Sequence, residues 1–268
     1  MKLKPWPTHA LALHHAPAVF LQIATEFATI GSMFSLSQPI RLTVQDKLAA
    51  LRRLAKRNPM QKPFYIFGAG CQARCILNAA LEAGDRPSAF LDDHPQASDL
   101  LGVPIFVPAG FPFEPGFRFV VGIGDCDRRR EKFDLLVSKG GEPMTIIHPD
   151  SSVSRFSKVG AGTVVFAYAL LDPCVRVDEN CIVNAGAMIG HDAIVERDAH
   201  ISAGARVGAG CHIGEASFLG IGAIINNGVT VGRSAFLAMG ALVSHDVPPH
   251  FKAVSPHRKE AVLTPIAG

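Results

Sequence analysis

From Ile147 onward an aliphatic residue stands at every sixth position, through Val153, Val159, Val165 and Leu171 without a break to Leu237 and Val243. Four residues after each aliphatic position comes a second series, from Ser151, Ser157 and Thr163 to Ala235 and Ala241, in which every member is small. A helix of period 3.6 or a flat strand of period 2 loses such a rhythm within a few turns, whereas a hexapeptide β-helix maintains it. The pattern predicts a triangular prism in which each hexapeptide makes one short face and one corner, and about eighteen residues make one coil. The aliphatic residue fills the interior and the small one turns inward near the corner. Gly160, Gly190, Gly208, Gly214, Gly220 and Gly232 follow aliphatic positions directly, with Asn184 and Asn226 in the same phase. They lead us to expect backbone conformations there that few other residues accept.

Upstream of the prism the pattern changes. Pro63 to Phe67 reads as a short apolar strand running into Gly68-Ala69-Gly70, and Arg74 to Ala83 as a helix ended by Gly84. Ser88 to Leu91 is a second strand ending in Asp92-Asp93, and Phe117 to Ile123 a third, leading through Gly124-Asp125 into a helix from Arg128 to Ser138. Met144 to Ile147 then feeds the prism. About 85 residues is short for a full dinucleotide fold, so the expectation is a small Rossmann-like α/β unit. Before it, two helices are expected at Ala18 to Ile30 and Val44 to Arg57; the basic run Arg52 to Arg57 reads as a solvated face beside Leu48, Leu51 and Leu54. Four segments result: a helical extension over 1–60 with no assigned role, the Rossmann-like unit over 61–146, the β-helix over 147–247 and a tail over 248–268.

Composition narrows the partners. With 268 residues, 48% hydrophobic and 18% charged, the chain buries a substantial core. A formal charge of +3 is too small to indicate capture of nucleic acid or an anionic membrane surface. The six cysteines, Cys71, Cys75, Cys126, Cys174, Cys181 and Cys211, show neither zinc-ribbon spacing nor a secretory disulfide framework, which fits a reducing cytoplasm. The most apolar stretch, Val19 to Phe34, is interrupted by Gln22, Thr25 and Glu26, so no membrane span is expected. Met1-Lys2-Leu3-Lys4 has the charge of a signal-peptide start, but Pro5, Pro7, His9, His14 and His15 break any apolar region after it.

Two places carry candidate chemistry. The turn Gly68 to Ala73 has the form of a dinucleotide fingerprint with Ala73 in place of the third glycine and an acidic pair, Asp92-Asp93, about twenty residues on. Amides at Gly70, Cys71 and Gln72 suit a phosphate at a helix N-terminus, and a ligand-free tight turn is the competing reading. In the prism, His191 falls two residues after inward Ile189 and His200 one before inward Ile201, so both lie outside the two inward series. Nine residues apart, half a coil, they fall on different sides of one prism and share a site only across a subunit boundary. Asp192 is placed to orient the His191 imidazole and raise its basicity, as a general base requires; two ordinary surface histidines are the alternative.

The glycine turn, Phe90-Leu91-Asp92-Asp93, Val121-Gly122-Ile123-Gly124-Asp125 with Arg129, and Gly190-His191-Asp192 followed by Ala199-His200-Ile201 together resemble the hexapeptide-repeat sugar acetyltransferases. That family includes the sialic acid O-acetyltransferases and the N-acetyltransferases of nucleotide-linked 4-amino sugars in bacillosamine-type pathways. The resemblance covers about residues 62 to 259. It implies a left-handed β-helix, a Rossmann-like unit that binds the nucleotide sugar, acetyl-CoA as cosubstrate lying between neighbouring subunits, no metal, and a homotrimer. By motif, His191 is similar to the family's general base and Asp192 to the acidic residue beside it. His200 and Ile221 match acetyl-CoA contacts; Gly70, Cys71, Gln72, Asp92, Asp93, Gly124 and Arg129 match nucleotide-sugar positions.

The chain departs from the family where Gly-His-Gly is usual and Cys71-Gln72-Ala73 stands, where Asn is common and Cys126 stands, and at the ending, Val254-Ser255-Pro256-His257-Arg258-Lys259. The implied activity is acetyl-CoA-dependent N-acetylation of a nucleotide-linked amino sugar for surface glycan synthesis. O-acetylation of sialic acid or another glycan sugar is the alternative, and a non-catalytic sugar-binding scaffold the alternative of another class. A γ-class carbonic anhydrase also uses such a prism, but His191, His200, His212 and His245 lack the close pair spacing its zinc requires.

Overall fold

The computed structural model describes residues 62–253. The expected helices at 18–30 and 44–57 and the basic ending at 257–259 lie outside the described residues. What is described is an α/β unit followed by a left-handed parallel β-helix.

The α/β unit begins with β1 (Phe64–Phe67), whose four side chains are all buried, as a central parallel strand demands. Helix α1 (Cys71–Glu82) follows, then β2 (Ala89–Leu91), β3 (Asp99–Leu100), β4 (Val103–Phe106), β5 (Arg118–Val121), helix α2 (Cys126–Ser138) and β6 (Glu142–Pro143). The sheet order is β3-β4-β2-β1-β5-β6, parallel throughout except the β3–β4 hairpin. That hairpin was not foreseen; its two-residue turn uses Leu101 and Gly102, both at positive φ (53° and 78°), the backbone of a type I′ turn. Both helices begin earlier than their apolar pattern suggests. Gly70 caps α1 in an extended conformation, so Cys71 and Gln72 lie inside its first turn. Asp125 caps α2, its carboxylate accepting from the Arg128 amide at 2.9 Å.

From Ile146 the chain forms two-residue strands in three parallel sheets, each recurring every eighteen residues up to Leu242–Val243, with Lys252–Ala253 closing the first sheet after sixteen. The first face carries Ile146–Ile147, Val164–Val165, Ile182–Val183, His200–Ile201, Phe218–Leu219, Phe236–Leu237 and Lys252–Ala253. The second runs from Ser152–Val153 through Met188–Ile189 to Leu242–Val243, the third from Lys158–Val159 through Ile194–Val195 to Thr230–Val231. The aliphatic and small series together make one core along the prism, from Val165 to Val243. Ile147, at the open end with no coil beneath it, is 40% exposed, which departs from the inward assignment.

The glycines after the aliphatic positions have a different cause from the one expected: none of the six has positive φ. They are needed because the next coil passes too close. A Cβ on Gly214 would stand 2.5 Å from the Arg233 amide nitrogen, and one on Gly232 2.4 Å from Pro249 N. The left-handed backbone sits instead at the corners, at Gly186, Gly204 and Gly222 but also at Tyr168, Cys174 and Asp192.

The α/β unit covers the lower part of the first face. Ile146, Val164 and Ile182, which point away from the prism interior, are buried with Phe64, Ile66, Ile76, Leu77 and Phe90 in a shared core. Each such side chain gains roughly 1.5–3 kcal/mol relative to exposure.

Candidate active site

His191 and Asp192 occupy the corner between the second and third faces, directly after Met188–Ile189. Asp192 takes the left-handed conformation (φ 60°), its amide donating to Pro173 O (3.2 Å) in the coil below while His191 O accepts from the Gly210 amide (2.8 Å) in the coil above. The backbone of the pair is therefore pinned from both sides. Its side chains stand in the open, 63% and 65% exposed, with His191 Nδ1 donating to Asp192 Oδ2 at 2.7 Å. The carboxylate thus holds the imidazole in one tautomer and leaves Nε2 as a lone-pair base.

His200 lies on the first face, away from His191 as the half-coil spacing requires, but it is not a surface histidine. The α/β unit buries it to 5% exposure. Its Nδ1 donates to Gly124 O at 2.8 Å, and its ring meets Phe218 edge-on, centroids 4.9 Å apart. Burial first, and the nearby Arg129 charge, bring its pKa down to about 4, so it is neutral at physiological pH.

Beside it, Arg129 is placed otherwise than a sugar contact would be. At 1% exposure, its Nε donates to Asn180 O (2.9 Å), Nη1 to Ile123 O and Gly124 O (both 3.1 Å), and Nη2 to Asp198 O and Ala199 O. With the five N–H donors so occupied, Arg129 serves a ligand only through the loop it holds. It fastens the turn after β5 to one corner of the prism in two successive coils. Asn180 and Asp198, joined at 2.6 Å from Asn180 Nδ2 to Asp198 Oδ1, complete this buried joint, and burial raises the Asp198 carboxyl above its ordinary pKa. Ion pairs Arg130–Glu215 (2.9 Å) and Arg197–Asp134 (3.1 Å) flank it. No sequence signal marked Asn180 or Asp198, because the hexapeptide rhythm registers only the prism interior.

At the C-terminal end of the α/β sheet, Gly70 caps α1, Cys71 is exposed and Gln72 is partly buried, its side-chain nitrogen without a partner among the described residues. Asp92 braces the glycine turn, Oδ2 accepting from the Ala69 amide (2.8 Å) and Oδ1 from the His94 amide (2.9 Å). Asp93 pairs with Lys132 at 3.2 Å, a cation the sequence reading missed. Ile221 stands 58% exposed at the corner between the first and second faces. Cys181 and Cys211 are buried, and burial pushes the Cys181 thiol up to about 12, the state of an inert core residue. Among the described residues no three His, Cys, Asp or Glu side chains converge as metal ligands, and no helix is long and apolar enough to cross a membrane.

The fold is that of left-handed β-helix acyltransferases that carry an N-terminal Rossmann-like unit. The PglD N-terminal domain family matches residues 64–136. The acetyltransferase domain of PglB from Neisseria gonorrhoeae is 29% identical, with a TM-score of 0.68 over 72% of this chain and 96% of its own. A histidine variant of perosamine N-acetyltransferase from Caulobacter crescentus, solved with CoA and GDP-perosamine, is 25% identical, with a TM-score of 0.68 over 74% of this chain and 95% of its own. WeeI from Acinetobacter baumannii, at 18% identity and a TM-score of 0.68 over 74% of this chain and 98% of its own, shares the fold. More particularly, the chain is similar to hexapeptide-repeat sugar acetyltransferases of the PglD and perosamine-acetyltransferase type.

Proposed function

We propose that the chain transfers the acetyl group of acetyl-CoA to the amino group of a nucleotide-linked sugar. The observation that carries the mechanism is the exposed His191–Asp192 pair at 2.7 Å. With Nδ1–H committed to Asp192, His191 Nε2 takes a proton from the sugar amine as the amine attacks the thioester carbonyl. Backbone amides stabilise the oxyanion, and the tetrahedral intermediate collapses to the amide while CoA thiolate leaves and recovers the proton. His200 and Ile221 serve the acetyl-CoA side. Gly70, Cys71, Gln72, Asp92, Asp93 and Gly124 serve the nucleotide sugar, with Arg129 acting through the Gly124 loop. In the perosamine enzyme, CoA and GDP-perosamine occupy one protein together, which supports this division.

The working unit in this reading is a homotrimer. Ile221, Ile224, Met239 and Leu242 expose an apolar strip along one corner and the second face, a surface suited to a neighbouring copy.

The experiment is a panel: purified protein with acetyl-CoA and UDP-, GDP- or dTDP-linked amino sugars beside sialic acids, following thiol release. Turnover with a nucleotide-linked amino sugar is expected. Turnover with sialic acids alone would replace N- by O-acetylation, and none with any acceptor would leave a binding protein.

A further inference from the structure

We propose that His200 is locked as the Nδ1–H tautomer and offers Nε2 as a hydrogen-bond acceptor, so that the ligand group it meets is a neutral N–H or O–H donor and not a phosphate. The inference rests on the acetyltransferase reading and specifies what one of its contacts recognises. A carbonyl oxygen facing Nδ1 at 2.8 Å requires a proton on that nitrogen. The Gly124 carbonyl has no freedom to turn away, because Arg129 Nη1 donates to it at 3.1 Å and Arg129 is itself held by Asn180 O and Ala199 O. A second proton on the ring is disfavoured by burial and by the adjacent guanidinium, which keep the imidazole neutral.

Nε2 then carries only a lone pair, and it has no partner among the described residues. A buried acceptor left in that state is filled by a donor when one is available. Phosphate oxygens bring lone pairs of their own, and the nearby Arg129 has no N–H to offer them. Two ligand groups of the right chemistry exist in the proposed reaction: the amide N–H groups of the pantetheine arm and the hydroxyl or amine of the acceptor sugar. Nε2 is shielded from solvent, with the partly exposed Phe218 ring edge-on to the imidazole and itself stacked on Phe236, centroids 5.1 Å apart. A ligand that meets Nε2 must therefore displace atoms of this aromatic row.

The test is imidazole ¹⁵N spectroscopy of the full chain at pH 7, with the His200→Phe variant, which retains a ring against Phe218, assigning the signals. Without ligand, His200 should show a protonated Nδ1 and an unprotonated Nε2. Addition of CoA alone should shift Nε2 as an acceptor; a shift only with a UDP- or GDP-linked amino sugar would place the donor on the sugar and equally support the proposal. His200→Phe should weaken binding of whichever ligand gives the shift by roughly 5- to 10-fold, the loss of one neutral hydrogen bond. A protonated Nε2, or an Nε2 indifferent to both ligands in protein that turns over, overturns the proposal and leaves the acetyltransferase reading intact. Absence of ligand response together with absence of turnover overturns both.

Discussion

His191 and His200 show how one repeat gives two histidines opposite fates. His191 sits at a corner, where the chain turns from one face to the next, and its imidazole stays in solvent with Asp192 as its side-chain partner among the described residues. His191→Ala should lower kcat by roughly 10²-fold or more with little change in acetyl-CoA affinity, since general-base catalysis contributes about 10² to 10⁴. Steady-state kinetics on the folded variant checks this, and near-normal turnover would refute the assigned role. His200 makes the opposite demand on solvent. Its pKa is lowered to about 4 in the folded chain from 6.5, so between those values the unfolded state binds a proton that the folded state refuses. Stability from this group is therefore present above pH 6.5 and lost as pH falls toward 4, by at most about 3.5 kcal/mol at about 1.4 kcal/mol per unit. Melting temperatures at pH 7 and 4.5 should fall less for His200→Phe than for the parent; an equal fall would contradict the burial of a neutral imidazole. The sequence told which residues leave the prism interior, and so placed His191 correctly. It could not tell which outward ladder a distant segment covers, and for that reason the burial of His200 and Arg129 escaped it.

Among the elements, the coils were legible because each hexapeptide repeats one local requirement and a mistake in phase would expose a whole series. Strand and helix ends in the α/β unit were less so: caps such as Gly70 and Asp125 extend both helices beyond their apolar pattern. The glycine phase was read correctly and explained wrongly, since coil spacing rather than φ excludes a side chain. This distinction is measurable. Gly214→Ala should cost roughly 1–3 kcal/mol through backbone displacement in the coil above. Gly186→Asn should cost little, because its corner has open space for a Cβ and Tyr168 adopts the same left-handed backbone one coil below. Denaturant titration of both variants decides it; equal costs would remove the close-approach argument.

At the scale of the whole molecule, the α/β unit and the prism meet through two unlike contacts: an apolar one around Ile146, Val164 and Ile182, and a polar one in which Arg129 holds prism carbonyls. Together they place the glycine turns of the sheet beside the first face, while His191 faces outward from a different corner. In the proposed reading one chain presents the two halves of the reaction on separate sides, which is why the account requires neighbouring copies. Light scattering should report about three times the 28.5 kDa chain mass, and Leu242→Glu in the apolar strip should reduce both that mass and turnover. A fully active monomer would contradict the shared site. The most direct test of acetyl transfer to an amine compares thiol release from acetyl-CoA with a nucleotide-linked amino sugar and with the same sugar already N-acetylated. The account predicts release with the free amine and none above background with the blocked one; equal release from both, or from neither, would contradict it.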